Sequence, residues 1–367
     1  MIVCHKDTAV VILSYNGTKW HELFLPKIVE EAHTGYEVIL VDNASTDDTL
    51  QYVRENFPTV QTLQIAVNHG FANGYYEALK QIKAKYYILL SADFEVTEGW
   101  FPPLHQAMEA DETMAACQPK IRYWRNRELF EYAGAGGGFM DKYGYLFCRG
   151  RIFFDIEKDE YQYDDNIEVF WASGGCMVVR ADLYHKVGGL DHDFYAHMEE
   201  VDLCWRFKNA GYRIGYIGKS IVYHVGGSVI SYGSPAKLYY NFRNNLILLI
   251  KNEKGHKLLW LFPLRLVLDG VAGLRLLFTG HFRETYTIIK AHFHCYRQLG
   301  KWLARRRANK ALITRRNEEG IYRRSIVWDY FLLRRKTFDK LGWTPKKLEA
   351  PYVTEEQTIA SPPNLAK

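Results

Sequence analysis

Through the first hundred residues, short runs of β-branched and aliphatic side chains alternate with longer stretches of amphipathic spacing. That alternation predicts βα units on a largely parallel sheet. Strands are expected at Ala9–Leu13, Glu37–Val41, Val60–Ile65 and Tyr86–Leu90, and helices at Lys19–Ala32, Thr46–Asn56 and Gly70–Lys83. Each predicted strand runs into a polar segment: Ser14-Tyr15-Asn16, Asp42-Asn43-Ala44-Ser45, Asn68-His69-Gly70 and Ser91-Ala92-Asp93. In open α/β sheets ligands sit beyond the carboxyl ends of the strands, so these loops are expected to converge on one crevice. Residues 120–170 are rich in Gly, Tyr and Phe and read as an insertion of short strands. Phe170–Arg180 is strand-like, a helix should start at Ala181, another should span His197–Ala210, and Arg213–Tyr223 should hold one or two strands.

Beyond residue 250 the pattern changes. Leu258–Phe278 is strongly apolar but carries Pro263, Arg265, Asp269 and Arg275, which argues against a simple bilayer span. On a helix those three charges fall within an arc of roughly 120° and leave a wide apolar face, the form of a helix lying in a membrane interface. Arg305-Arg306-Arg307, Arg315-Arg316, Arg323-Arg324 and Arg334-Arg335-Lys336 follow, among Trp302, Tyr322, Trp328, Tyr330 and Phe331, a mixture suited to an anionic leaflet. The expected organisation is therefore a catalytic domain over 1–250, a basic amphipathic helical region over 251–345 and a disordered tail over 346–367.

Charge sharpens that division. Residues 251–347 hold 23 Lys and Arg against 7 Asp and Glu, a net +16, whereas residues 1–250 carry −9. The tail should meet something anionic, either phospholipid headgroups or nucleic acid. The six cysteines show no two-residue spacing of the kind zinc and redox sites use, and read as reduced and mostly buried. The N-terminus has no basic region followed by a long apolar run, so a cytoplasmic protein held peripherally at the inner membrane face is expected.

The carboxylates beyond the predicted strand ends are of the kind that can take a nucleoside, hold a cation against phosphate and deprotonate a hydroxyl. Asp42 is placed to accept hydrogen bonds from a nucleoside, and Asp93 could bind Mg2+ or Mn2+, hard cations that prefer oxygen. Glu199-Glu200-Val201-Asp202 brings three carboxylates to a helix start, and His224 beside Gly226-Gly227 offers a metal or phosphate contact. Taken singly, each has a structural explanation: turn former or cap for Asp42 and Asp93, dipole partner for the glutamates, strand-end histidine for His224. Asp202 with Arg206 makes an ordinary i,i+4 pair. Gly134-Ala-Gly-Gly-Gly138 lacks the third glycine of a dinucleotide fingerprint and reads as a flexible loop near the acceptor. Trp171 is either an acceptor-site aromatic or core.

The ordered series Val10-Val-Ile-Leu-Ser-Tyr-Asn16, Val38-Ile-Leu-Val-Asp-Asn-Ala-Ser-Thr-Asp47, Asn68-His-Gly-Phe-Ala-Asn-Gly74, Leu89-Leu-Ser-Ala-Asp93, Ser173-Gly-Gly-Cys-Met-Val-Val-Arg180, Gly188-Gly-Leu-Asp191, Glu199-Glu-Val-Asp-Leu-Cys-Trp-Arg206, Gly211-Tyr212 and His224-Val-Gly-Gly227 resembles the landmarks of glycosyltransferase family 2. The likeness is to its rhamnosyltransferase and galactofuranosyltransferase-like members and covers residues 7–250. It implies an α/β GT-A fold, a divalent cation (Mg2+ or Mn2+) and inversion by direct displacement. It also implies nucleotide contacts from Ser14, Tyr15, Asn16, Asp42, Asn73 and Ala92, with the metal at Asp93 and His224. The base would be Glu200 or its neighbour Glu199, and the sugars would lie near Trp171, Gly174 and Gly175. Two positions depart from the family pattern: Ser91 stands where Asn or Asp is usual, and Glu200 where Asp is usual.

The partners expected on this reading are a UDP-, dTDP- or GDP-sugar, a lipid-linked or glycan acceptor and an anionic membrane surface, with no nucleic acid. Ser91 motivates an alternative, a catalytically silent relative that scaffolds a polysaccharide-assembly complex. Nucleic-acid binding ranks last, because the tail's apolar helix suits lipid.

Overall fold

The computed structural model describes residues 1–131, 134–226 and 234–349. Gly227 of the last sequence landmark and residues 350–367 of the expected tail lie outside the described residues.

The four predicted N-terminal strands form at Thr8–Ser14, Tyr36–Asn43, Gln61–Ile65 and Tyr86–Ser91 and pair in parallel. Continuous apolar runs explain why three of them sit inside the sheet, with Gln61–Ile65 at its edge. Ala9, Val11 and Leu13 pack into the core on one face, and Val10 and Ile12 into the core on the other. A strand apolar on both sides is stable only when both faces are covered. The nine-stranded sheet then continues through Cys176–Arg180, antiparallel to both Tyr86–Ser91 and Met114–Tyr123, to Arg213–His224, which runs parallel to Met114–Tyr123, and to Asn166–Glu168, antiparallel at the end. Phe94–Val96 pairs onto Arg213–His224 off this path. The strand expected at 170–180 thus begins only at Cys176, and Ser173-Gly174-Gly175 is a loop. The helix expected to run to Lys83 stops at Leu79, and Ile82–Lys83 pairs instead with Ile2–Val3.

The 120–170 insertion contributes Gly138–Asp141, Leu146–Cys148, Arg151–Ile152 and Asp155–Ile156 to a second, five-stranded sheet. Its last strand, Ile321–Tyr322, comes from the C-terminal region. The glycine run that read as a flexible loop is close-packed: a Cβ on Gly138 would lie 2.2 Å from the Trp171 ring.

The expected boundary at residue 250 falls inside the helix Pro235–Asn252. The helices Gly255–Phe278, Phe282–Arg297 and Leu299–Ala311 follow, and the chain then returns to the catalytic sheet. Trp302, Phe338 and Leu341 are buried, Glu168 donates its N–H to the Lys346 carbonyl at 2.8 Å, and Leu348 donates to Asn166 at 3.0 Å. Residues 346–349, expected within a disordered tail, are therefore ordered along the Asn166–Glu168 strand.

Much of the basic charge is absorbed internally. Arg306 donates to the Ile250 carbonyl (2.7 Å), Arg316 to Asn209 (3.0 Å), Lys301 and Arg305 to Asp193 (2.5 and 3.1 Å) and Arg335 to Asp329 (2.7 Å). The opposite charges of the two halves are partly complementary surfaces of one folded unit.

No helix among the described residues is long and apolar enough to cross a membrane. Gly255–Phe278 is nonetheless amphipathic in reverse. Arg265 and Asp269 are buried: the guanidinium lies 3.9 Å from the Tyr145 ring centroid, and Asp269 meets His292 at 3.1 Å. Leu259, Val267, Val271, Leu274 and Phe278 face outward, with Phe278 84% exposed.

Candidate active site

Register brings the strand ends together. Ser14 lies opposite Asp42, and Leu13 opposite Ser91, so three of the four polar loops leave adjacent strands at one edge. The first two loops are tied to each other. Asn16, at φ 51°, accepts from the Thr46 N–H (2.8 Å), while its own N–H donates to the Ser45 hydroxyl (2.9 Å). Ser14 is buried and shares a 2.8 Å hydrogen bond with His21, whereas Tyr15 is exposed. Asp42 is buried, with both carboxylate oxygens 3.3 Å from the Ser45 N–H, and it lines a cavity of about 430 Å3 together with Asp47, Gln51, Arg54 and Gln64. Asn73 sits half-buried in the first turn of the helix Phe71–Leu79, and Ala92 half-buried in the turn before Asp93.

Asp93 is buried and meets the Nε2 of His224 at 3.1 Å. The Nδ1 of the same imidazole lies 3.1 Å from Glu131, a carboxylate that no sequence signal marked. Burial alone would push the histidine's pKa down, but these two flanking carboxylates outweigh it and raise it to about 10. The ring stacks on Phe94 with centroids 4.2 Å apart. Asp93 and Glu131 face opposite nitrogens of one ring and so cannot share an ion, and the described residues contain no group of three or more candidate ligands. Asp93 with His224 Nε2 does supply two converging donors. An open site of that kind suits a divalent ion that keeps water and phosphate oxygens in its shell, and binding through Nε2 requires that nitrogen to give up its proton.

The loop 173–175 links this pair to the glutamates. Ser91 donates its N–H to the Gly175 carbonyl (2.9 Å), and a Cβ on Gly175 would lie 2.7 Å from Phe94. A Cβ on Gly174 would lie 3.2 Å from the Glu200 Cβ. Absence of side chains therefore lets Glu200 approach the strand edge that carries Asp93. Trp171 is in the core, its indole N–H donating to the Phe139 carbonyl at 3.1 Å. Of its two expected readings the core one fits, and the acceptor-site one does not, because the ring is committed to covering Gly138.

Glu199 and Glu200 open the helix Glu199–Asn209. Glu199 is buried, and burial together with the neighbouring Glu200 charge pushes its carboxyl well above the ordinary range. Glu200 is half-buried, and desolvation raises it to about 7. One oxygen of each carboxyl is buried with no hydrogen-bond partner. Asp202 makes the expected pair with Arg206 (2.9 Å) and a second with Lys251 (2.8 Å).

The segment before this helix is strained. Tyr195, His197 and Met198 all have φ between 67° and 71°, a region that costs non-glycine residues roughly 1–3 kcal/mol each unless the surroundings enforce it. Two adjacent residues of the helix Pro235–Asn252 enforce it. Asn244 donates to the carbonyls of Phe194 (3.2 Å), Ala196 (2.9 Å) and His197 (2.6 Å), and Arg243 to those of Asp193 (2.9 Å) and Phe194 (2.8 Å). Sequence reasoning missed both, because an Arg-Asn pair inside a helix carries no local signature.

Residues 9–188 match the family model described as Glycosyl transferase family 2. The chain is 25% identical over 283 residues to the N-acetylglucosaminyl-diphospho-decaprenol L-rhamnosyltransferase of Mycobacterium tuberculosis, covering 72% of this chain and 90% of that protein. It is 23% identical over 222 residues to the rhamnosyltransferase WbbL of Escherichia coli K12, covering 57% and 79%. Among solved structures, GalNAc-T7 with UDP, GalNAc and Mn2+ superposes with a TM-score of 0.52 at 16% identity over 67% of this chain. The superposition spans about half the length of that protein, 48%. This likeness is one of fold, the GT-A arrangement.

Proposed function

From the premise that the chain belongs to glycosyl transferase family 2 through residues 9–188, we propose that it transfers a sugar from a nucleotide diphosphate to a lipid-linked acceptor, with inversion. The observation that carries this reading is the half-buried Glu200 carboxyl, held near pH 7 against Gly174, on the loop that also packs on the Asp93–His224 edge. A carboxyl with that pKa is a competent general base at neutral pH. Glu199 is the poorer candidate because it is closed off from solvent and its proton is held more tightly.

Asp42 and the cavity beside it receive the nucleoside, while Ser14, Asn16, Asn73 and Ala92 shape the loops around the diphosphate. Asp93 and His224 would hold Mg2+ or Mn2+, whose charge would neutralise the departing diphosphate. Gly174 and Gly175 leave room for the sugar beside Glu200. The acceptor hydroxyl gives its proton to Glu200 as its oxygen bonds to the anomeric carbon, the bond to the nucleotide diphosphate breaking on the opposite side. One base and one displacement give inversion.

A lipid-linked acceptor is supported by the relative whose name specifies a decaprenol diphosphate substrate, and by the outward apolar face of Gly255–Phe278 and its neighbour. In Phe282–Arg297 the exposed residues Phe282, Tyr286, Ile289 and Phe293 continue that face. These helices seat the protein on an anionic membrane surface.

The test is a panel of UDP-, dTDP- and GDP-sugars with Mn2+ or Mg2+, read by melting temperature and by release of nucleotide diphosphate. A ligand that binds only the folded state raises the melting temperature. At least one donor is expected to do so and to turn over; a panel with neither response rejects the reading.

A further inference from the structure

A second cavity lies away from the strand ends. A groove of about 550 Å3 runs between the turn Lys142–Tyr145, the helix Gly255–Phe278 and the short helix Ile326–Phe331. That volume is within the roughly 300–1,000 Å3 of pockets that take small organic ligands. Its walls are mainly apolar and aromatic, with Tyr143, Leu264, Leu268 and Trp328 among them.

The charge on those walls is unbalanced. Asp329 is already committed, accepting from Arg335 (2.7 Å) and from the Tyr322 hydroxyl (2.7 Å). Lys142 and Arg324 also line the groove, and neither forms an ion pair among the described residues. An apolar trough with two unpaired cations at its wall matches a ligand with a hydrocarbon chain and an anionic head.

Position ties this trough to the reaction. Leu264, Leu268 and Val271 follow each other at i, i+4 and i+7, so the groove wall runs into the outward apolar strip of the same helix. On the other side, the Lys142–Tyr145 turn is held by the helix that fixes the catalytic segment. Asn245 donates to the Gly144 carbonyl at 3.1 Å, and its neighbour Asn244 grips the carbonyls just before Glu199. The groove therefore lies between the membrane-facing strip and the helix that positions the base.

We infer that this groove binds the isoprenoid chain of the lipid-linked acceptor, with its diphosphate against Lys142 and Arg324. The inference rests on the lipid-linked acceptor proposed above and specifies where its lipid part is held.

The probe is farnesyl diphosphate below its micelle concentration, titrated into the purified full chain and followed by tryptophan fluorescence or calorimetry. Saturable binding is expected, at least tenfold weaker in Leu268→Arg and in Lys142→Glu. Arg324→Glu, a change at an exposed position that leaves the core intact, should weaken it several-fold. Sedimentation with phosphatidylglycerol vesicles and the melting-temperature shift with nucleotide diphosphates should stay within twofold of the native chain. Absence of binding to the native chain, native-like binding by all three variants, or equal competition by inorganic diphosphate would overturn the assignment. Parallel loss of vesicle and farnesyl diphosphate binding would also overturn it and give the groove to the bilayer. Nucleotide binding is read separately, so failure of the transferase reading is distinguishable from failure of this one.

Discussion

At the carboxyl ends of the parallel strands and in the helix Gly255–Phe278, charged side chains turn inward, but what lies on the other side of them differs. At the strand ends, Asp42 and Asp93 are buried beneath loops whose outer residues, such as Tyr15 and Asp48, meet solvent. In the helix, Arg265 and Asp269 are buried and the outer residues are mainly leucine, valine and phenylalanine, with Arg275 exposed among them. Leaving an apolar surface in water costs roughly 25 cal/mol per Å2, so a whole helix face so disposed requires a non-aqueous neighbour. On the reading proposed above, buried charge marks chemistry in the first region and anchorage in the second. The two should be separable by mutation.

The largest effect should come from Glu200→Gln. Losing a general base lowers kcat by about 10²- to 10⁴-fold, while nucleotide-diphosphate binding and vesicle sedimentation stay native. Glu199→Gln should cost much less. Equal losses in the two variants would remove the distinction between them. The same residue sets a pH profile. The base must be ionised, and burial raises its pKa to about 7, so kcat/KM should fall about tenfold per unit below pH 7 and level off above it. A profile flat down to pH 5 would contradict this assignment.

Asn244→Ala should come next. It removes the side-chain donor from the Ala196 and His197 carbonyls, while that of Phe194 keeps Arg243, and releases the strained segment before Glu199. A stability loss of about 2–3 kcal/mol is expected from unsatisfied buried acceptors. A structural role alone would lower stability only; a positioning role should also reduce kcat by tens-fold, with little change in KM for the donor, in the protein that remains folded.

Much of this was legible in the residues themselves. The parallel half of the sheet, its polar strand ends and the glutamate pair all follow from local pattern, because short β-branched runs and helix-start carboxylates are short-range signals. Glu131 and Asn244 were not, since their roles depend on contacts with residues 93 and 47–50 positions away, with His224 in one case and with the 194–197 carbonyls in the other. The tail was half legible. Its apolar face could be read from helical spacing, but its basic runs were read as facing lipid, whereas Arg305, Arg306, Arg316 and Arg335 satisfy acceptors within the fold. Charge counts give a total and cannot say which cations are already paired.

A triple variant, Val267→Glu with Val271→Glu and Leu274→Glu, tests the anchoring side. All three residues are more than half exposed, so the fold should tolerate the change. Vesicle binding should drop at least tenfold, with donor hydrolysis unchanged. Loss of hydrolysis would show the two regions to be coupled.

The smallest effect should be that of salt, and the reason lies in the internal pairing. A basic residue near an anionic surface contributes about 1 kcal/mol, and that attraction decays within a Debye length of about 8–10 Å at physiological ionic strength. If all of the +16 faced lipid, raising the salt from about 0.1 to 0.5 M would abolish binding. Because many of the tail's cations are engaged within the protein, the apolar face carries most of the affinity. Sedimentation with phosphatidylglycerol vesicles should therefore weaken only a few-fold over that range, and neutral phosphatidylcholine vesicles should still retain the protein. Complete release by salt would mean that the basic runs, and not the outward leucines and phenylalanines, hold the protein at the surface, and the contrast between the two regions would lose its physical basis.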